Sequence, residues 1–212
     1  MSISCVDFVL GSWLHCELPS GGALNITTMS AYLNSSTDAP NLLVELYQTT
    51  PTSMILILDL PPRKDILLNP DYLYPKTKSK LLSQTCTNKD TKLDRHRQHF
   101  QKLAGVTPYV SSSLYIRSIF SPTAVLACIE SDRVEEMVRT HVSPIAKEML
   151  KTWLDFGPFG ERVVCESEKA CLKMRDGVSK KKTIEFELGS SLPRIFGPDT
   201  ANRVLEVLRE VF

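Results

Sequence analysis

The chain contains no CxxC pair, no GxGxxG, no P-loop, no HExxH and no GxSxG. Those absences remove the familiar dinucleotide-, nucleotide-triphosphate-, zinc-protease- and serine-hydrolase-type readings. Glycine is scarce, 9 in 212 residues, which leaves little material for phosphate-cradling loops. No apolar run approaches the roughly 18 residues of a membrane-spanning helix. Excess charge of one sign is missing too: 25 Lys and Arg against 24 Asp and Glu leave a net charge of +1. That argues against an electrostatically held nucleic-acid binder. The start, MSISCVDFVLGSW, lacks the basic region, the long apolar stretch and the small-residue cleavage site of a signal peptide. It enters a strand almost at once, so the chain is expected to be a fragment of a longer protein. The six cysteines are scattered, and a chain of this length and apolar content needs no disulfide staples, so reduced thiols are expected. His15 beside Cys16, and His96 with His99, are the adjacent metal candidates. A tetrahedral site needs three or four convergent ligands, so solvated or packed histidine is the expected state.

What is present is a pair of apolar runs, LLVELYQ (42–48) and MILILDL (54–60), joined by a short polar link. Both read as strands. Glu45 is the residue that does not belong. Strand side chains alternate, so Leu42, Val44 and Leu46 share one face while Leu43, Glu45 and Tyr47 share the other. A carboxylate in mid-strand is costly unless it reaches water, a partner or a ligand. The Glu45 face is therefore expected to wall a cavity, and the Leu/Val face to floor the core.

Around this pair the chain reads in order. VDFVLGSWLHCEL is a strand with a bulge or bend expected at Gly11, PSGG a turn, and ALNITTMSAYL a second strand. Four strands with short polar links imply an antiparallel meander. PPRKDILLNPDYL should be a loop carrying Arg63 and Lys64 that leads to a helical turn at NPDYL. YPKTKSKLLSQTCTNKDTK reads as a basic surface insertion or loop. LDRHRQHFQKL is an amphipathic helix ended by Gly105. SSSLYIRSIFSPTAVLACIE is expected to supply two strands split at Ser121-Pro122. In SDRVEEMVRTHVSPIAKEMLKTWLDF the apolar spacing is helical, with Ser131 or Asp132 as N-cap. Pro144 must kink or divide that helix. The charged ERVVCESEKACLKMRDGVSKKK reads as a solvated helix or linker, TIEFEL as an alternating strand, and Pro198 as the opening of a last helix. The sum is a single α+β domain: a mainly antiparallel sheet of six or seven strands covered by helices.

The chemistry available is acidic. Glu45 is framed by apolar residues, and Glu187 sits on the polar face of the expected TIEFEL strand. A carboxyl held in a semi-apolar pocket can donate a proton near neutral pH. The alternative is a solvated Glu187 and a Glu45 paired with an arginine such as Arg117. The run Lys180–Lys182 is either a solvated patch or a docking site. Asn25-Ile26-Thr27 and Asn34-Ser35-Ser36 match the glycosylation sequon, without a secretion signal to make it relevant.

The ordered blocks DFVLGSWLHCELPSGGALNITTMSAYLNSSTDAPNLLVELYQ, LILDLPPRKDILLNPDYL, PYVSSSLYIRSIFSPTA, HVSPIAKEML and LPRIFG are similar to the red chlorophyll catabolite reductase family, relatives of the ferredoxin-dependent bilin reductases. The resemblance runs from Asp7 to Phe212. It implies reduction of an open-chain tetrapyrrole, red chlorophyll catabolite, to the primary fluorescent catabolite during chlorophyll breakdown in the chloroplast. It implies single electrons from reduced ferredoxin, with no flavin, nicotinamide or metal held by the protein. The fold it implies is an α/β/α sandwich, a central antiparallel sheet flanked by helices with the pigment between sheet and helices. It places the family's pocket carboxylates at Glu45 and at Glu187, where Asp is common elsewhere in the family. It also places a pocket aromatic that helps decide which face of the pigment is protonated at Phe120. Tyr47 and Arg117 join Phe120 in the expected substrate-binding set. Ferredoxin is acidic, so Arg63 and Lys64, or Lys180–Lys182, are the charge-based expectation for its landing patch. Other enzymes of chlorophyll breakdown are further expected partners, and a homodimer stays open. Family members carry a transit peptide and a further stretch before DFVLGSW. The chain is thus expected to be one tetrapyrrole-reductase domain, residues 1–212, lacking that portion. A non-catalytic tetrapyrrole-binding or scaffold paralogue is the alternative function.

Overall fold

The computed structural model of the chain describes residues 5–18, 21–69, 72, 92–157 and 164–211. They belong to two compact units, Met1–Val163 and Val164–Phe212. Residues 74–91 of the basic stretch YPKTKSKLLSQTCTNKDTK, the turn residues Pro19 and Ser20, and residues 158–163 lie outside the described residues.

The first unit is built on strands β1 (Val6–Leu18), β2 (Gly22–Leu33), β3 (Leu42–Thr50), β4 (Ser53–Asp59), β5 (Val106–Pro108) and β6 (Val125–Glu130). They form one six-stranded sheet in the order β1-β2-β3-β4-β6-β5, with each neighbouring pair antiparallel. The four-strand meander read from the sequence is its first two-thirds. Leu42, Leu56, Leu58, Val125, Ala127 and Ile129 lie on one face and belong to the core, and Val44 and Leu46 pack against it. This is the face assigned to the core by alternation. Gly11 is not a bulge: it stays in register opposite Met29, and the shift falls between Val6 and Phe8.

Helices α1 (Lys92–Phe100), α2 (Leu114–Ile119), α3 (Val134–Met137) and α4 (Ser143–Phe156) complete this unit. Phe100, Val142, Ile145, Met149 and Trp153 are buried in the same core as the sheet's apolar face. Between α3 and α4 the helix widens into a π-turn, Val138–Val142. The cause is Pro144. A proline ring collides with the carbonyl four residues back, here Thr140, and one wider turn relieves it. The proline thus divides the helix by a change of pitch instead of a break, and then sits in the first turn of α4. Arg133, and not Ser131 or Asp132, occupies the N-cap position.

The strand expected over SSSLYIRSIF is a helix. Ser113 accepts the Ile116 amide (3.3 Å) and caps α2, in which Ile116 is buried and Leu114 is 76% exposed. A serine-capped run of six residues offers little apolar area to either secondary structure, so the cap decides. The turn expected at NPDYL is present, with the Tyr72 amide donating to the Asn69 carbonyl (2.9 Å), and a helical turn precedes it, the Asn69 amide donating to the Asp65 carbonyl (2.9 Å).

The second unit is helical: α5 (Glu166–Thr183), a π-turn (Ile184–Leu188), α6 (Gly189–Phe196) and α7 (Pro198–Val211). The TIEFEL strand does not exist. Ile184 is buried but Phe186 is 52% exposed, with the Lys182 ammonium 5.1 Å from its ring centroid, one helical turn away. An 18-residue helix runs into this segment with no proline to stop it, and its one glycine, Gly177, stays within the helix. Extending a formed helix is far easier than nucleating an isolated strand. Gly197, at φ 77°, turns the chain between α6 and α7, and Pro198 opens the last helix as its position suggests.

Candidate functional site

Glu45 stands in the middle of β3, in the rung Thr28–Glu45–Ile57–Leu126. It is half-buried, on the face of the sheet opposite the core. Tyr47, two residues along the same face, donates its hydroxyl to Glu45 Oε2 (2.9 Å). Ile57, directly opposite Glu45, and Ile26, directly opposite Tyr47, are buried. The carboxylate is therefore set beside buried apolar side chains and orientated by a phenol, on the face that alternation assigned to it.

A second acid on this face escaped the sequence reading. Asp59, at the end of β4, pairs with Leu43, so it is a diagonal neighbour of Glu45 at about 7–8 Å between backbones. It is fully buried. The Ser121 amide donates to its Oδ2 (2.9 Å), and the Ser121 hydroxyl and the Leu60 amide donate to Oδ1. Burial pushes its carboxyl up from 3.8 to about 6, against the downward pull of those hydrogen bonds. The one sequence signal was an acid ending an otherwise apolar strand, which also describes many solvated strand ends.

Phe120 immediately precedes Ser121 and is half-buried, with extended backbone as the chain leaves α2. The Asp59–Ser121 bonds thus tie Phe120 to the sheet face that carries Glu45 and Tyr47. Arg117 is exposed on α2. Glu187 lies in the π-turn Ile184–Leu188 of the second unit, on a helical and not a strand backbone.

The charge-based expectation for Arg63 and Lys64 fails. Arg63 is 2% exposed, its Nη1 donating to the carbonyls of Thr37 (2.7 Å) and Asn34 (3.2 Å). Its amide donates to the Tyr72 hydroxyl (3.0 Å), which donates to the Asp38 carbonyl (2.6 Å). The Lys64 side chain, 19% exposed, pairs with Asp38 at 2.7 Å. Both residues clamp the loop between β2 and β3, where Trp153 also donates its indole N–H to the Pro40 carbonyl (3.0 Å). Buried carbonyls of an irregular loop need such donors, and PPRK supplies them. In Lys180–Lys182, by contrast, Lys181 is 73% exposed and Lys182 pairs with Glu185 at 2.7 Å.

A hollow of about 690 Å³ opens on the other side of the sheet, where Arg95, His99, Thr140 and His141 rim a floor of Phe100 and Ile145. Among the described residues its lining holds no carboxylate, and its titratable groups are Arg95, His99 and His141. Among the described residues no three His, Cys, Asp or Glu are grouped to hold a metal ion, and no helix is long and apolar enough to cross a membrane.

The chain is 48% identical to the chloroplastic red chlorophyll catabolite reductase of Arabidopsis thaliana over 99% of its own length and 64% of the relative's. It is 38% identical to the red chlorophyll catabolite reductase of Hordeum vulgare over 98% of both chains. It is also 38% identical to the chloroplastic red chlorophyll catabolite reductase 1 of Oryza sativa subsp. japonica, spanning 61% of that protein. The chain thus spans somewhat under two-thirds of the Arabidopsis and rice relatives. Its fold is similar to that of tomato phytochromobilin synthase crystallised with biliverdin: TM-score 0.65 at 20% identity, over 95% of this chain and 64% of that one. The sequence model of the red chlorophyll catabolite reductases matches residues 1–210, and the chain belongs to that family.

Proposed function

We propose that the chain catalyses the ferredoxin-dependent reduction of red chlorophyll catabolite to the primary fluorescent chlorophyll catabolite, in the chloroplast, with the linear tetrapyrrole lying against the Glu45 face of the sheet. The observation that carries this reading is the Glu45–Tyr47 pair on an apolar sheet face, in a chain of this family. Reducing one double bond takes two electrons and two protons. Reduced ferredoxin supplies the electrons one at a time, and carboxyl groups supply the protons. An electron added to a conjugated tetrapyrrole raises its basicity, so an acid of ordinary strength held against it then transfers H⁺. Glu45 is the proton donor. The apolar surroundings limit side reactions of the one-electron intermediate. Glu187 is the second acid, and Phe120 selects the face that is protonated, with Tyr47 and Arg117 completing the contacts to substrate. Ferredoxin, an acidic protein, docks at the basic end of α5, Lys180–Lys182.

The test is an anaerobic incubation of the purified chain with red chlorophyll catabolite and reduced ferredoxin. A fluorescent, colourless product supports the reductase. Tight pigment binding with no product over hours sinks it and leaves the scaffold reading in its place.

A further inference from the structure

The reaction just described makes no use of Asp59, yet few side chains of the first unit are so fully engaged. Its partner is 62 residues away, so the tie is tertiary and not a local turn. Two of its three donors come from a single residue, Ser121. The Ser121 hydroxyl in turn accepts the Thr123 amide (3.2 Å), and the Ala124 amide donates to the Ser121 carbonyl (3.2 Å), so the whole Ser121–Ala124 turn hangs from the carboxylate. Burying a carboxylate is unfavourable unless its hydrogen bonds are made. An exposed serine turn would close this loop without it. The distinctive contact is the amide: the Ser121 N–H lies in the same peptide plane as the Phe120 carbonyl. Holding that N–H at 2.9 Å fixes ψ of Phe120, while the end of α2 fixes the chain on its other side. A rotation of the plane would swing the ring at the end of its lever arm.

We propose that Asp59 is a positioning residue for Phe120: by gripping Ser121 through both its amide and its hydroxyl, it sets the direction in which the aromatic ring meets the pigment and hence the stereochemistry of the product. This rests on the proposed role of Phe120 in facial selection. The experiment compares wild type, Asp59→Asn, Ser121→Ala and Phe120→Val with red chlorophyll catabolite and reduced ferredoxin, separating the two product epimers by chromatography. Asparagine turns an amide donor toward a backbone donor, and alanine deletes one bond while keeping the amide, so a variant that folds poorly has a gentler counterpart. Both tie variants are expected to shift the epimer ratio by about fivefold or more toward that of Phe120→Val. The ratio does not depend on how much of the sample is folded, so a merely structural role would lower the yield and leave it unmoved. An unchanged ratio in both tie variants, with Phe120→Val shifted, overturns this proposal alone. An unchanged ratio in Phe120→Val overturns it together with the role given to that ring. No product from wild type overturns the reductase reading, and this proposal with it.

Discussion

Glu45 owes its meaning to one contact and one alternation. The Tyr47 hydroxyl orientates the carboxyl, and the pleat puts both on the face away from the core. Glu45→Gln keeps the shape and a hydrogen-bond acceptor for Tyr47 but removes the acid proton. Turnover should fall by about 10²–10⁴-fold, the usual worth of a general acid, while pigment affinity measured by absorbance changes little. Equal losses in both would mean that Glu45 binds and does not donate. Asp59 makes a different prediction, on stability. Its carboxyl is raised from 3.8 to about 6, so between those values the folded state holds a proton that the unfolded chain has released. Its contribution to stability is therefore greatest below pH 3.8 and is lost as the pH rises through about 6, a swing of about 3 kcal/mol. Urea unfolding between pH 3 and pH 7 should show this swing in wild type, superposed on the other carboxylates. Asp59→Asn should remove it. Identical pH profiles for the two proteins would show that Asp59 ionises in the folded state as it does in the unfolded.

At the scale of elements, the connections are as specific as the strands. Gly105, between α1 and β5, has φ 78°, and its carbonyl accepts the Glu130 amide (2.7 Å). A Cβ there would overlap the Glu130 carbonyl oxygen. Gly105→Ala should cost about 1–3 kcal/mol from the left-handed backbone alone, and more from the overlap, measured by chemical denaturation. The Arg63 clamp is comparable: Arg63→Met leaves the carbonyls of Thr37 and Asn34 without their buried donor. The expected loss is about 2–5 kcal/mol. The meander, the core face and the place of Glu45 were legible in the sequence because period-two alternation survives in long half-buried strands. The opening proline was legible because its backbone limits are local, whereas α1 ends at Phe100, short of the Gly105 stop read from the sequence. LYIRSI and IEFEL were not, since a few alternating residues carry less free energy than a serine cap or an incoming helix. The same shortness hid β5. Arg63 misled for another reason: charge in a sequence reads as surface, and only the fold shows that a loop full of buried carbonyls needs a cation inside. Both π-turns were also invisible, because neither has a composition of its own.

For the molecule as a whole, a net charge of +1 means that steering of an acidic partner has to be local. With Arg63 and Lys64 committed to the loop clamp, the basic end of α5 is the patch left from the two read in the sequence. Lys181 is its more exposed member, 3.9 Å from Glu185, whereas Lys182 lies 2.7 Å from Glu185 and over the Phe186 ring. Reversing charge at Lys180 and Lys181 together (Lys180→Glu, Lys181→Glu) should raise KM for ferredoxin by about tenfold at low ionic strength. The difference should shrink as salt rises past about 0.15 M, where the screening length is about 8 Å. Turnover driven by a small uncharged reductant should be unaffected, because pigment and proton donors are untouched. An equal loss with both reductants would place these lysines in the fold of the second unit and not in docking. An unchanged KM at low salt would send the search for the landing site to another surface.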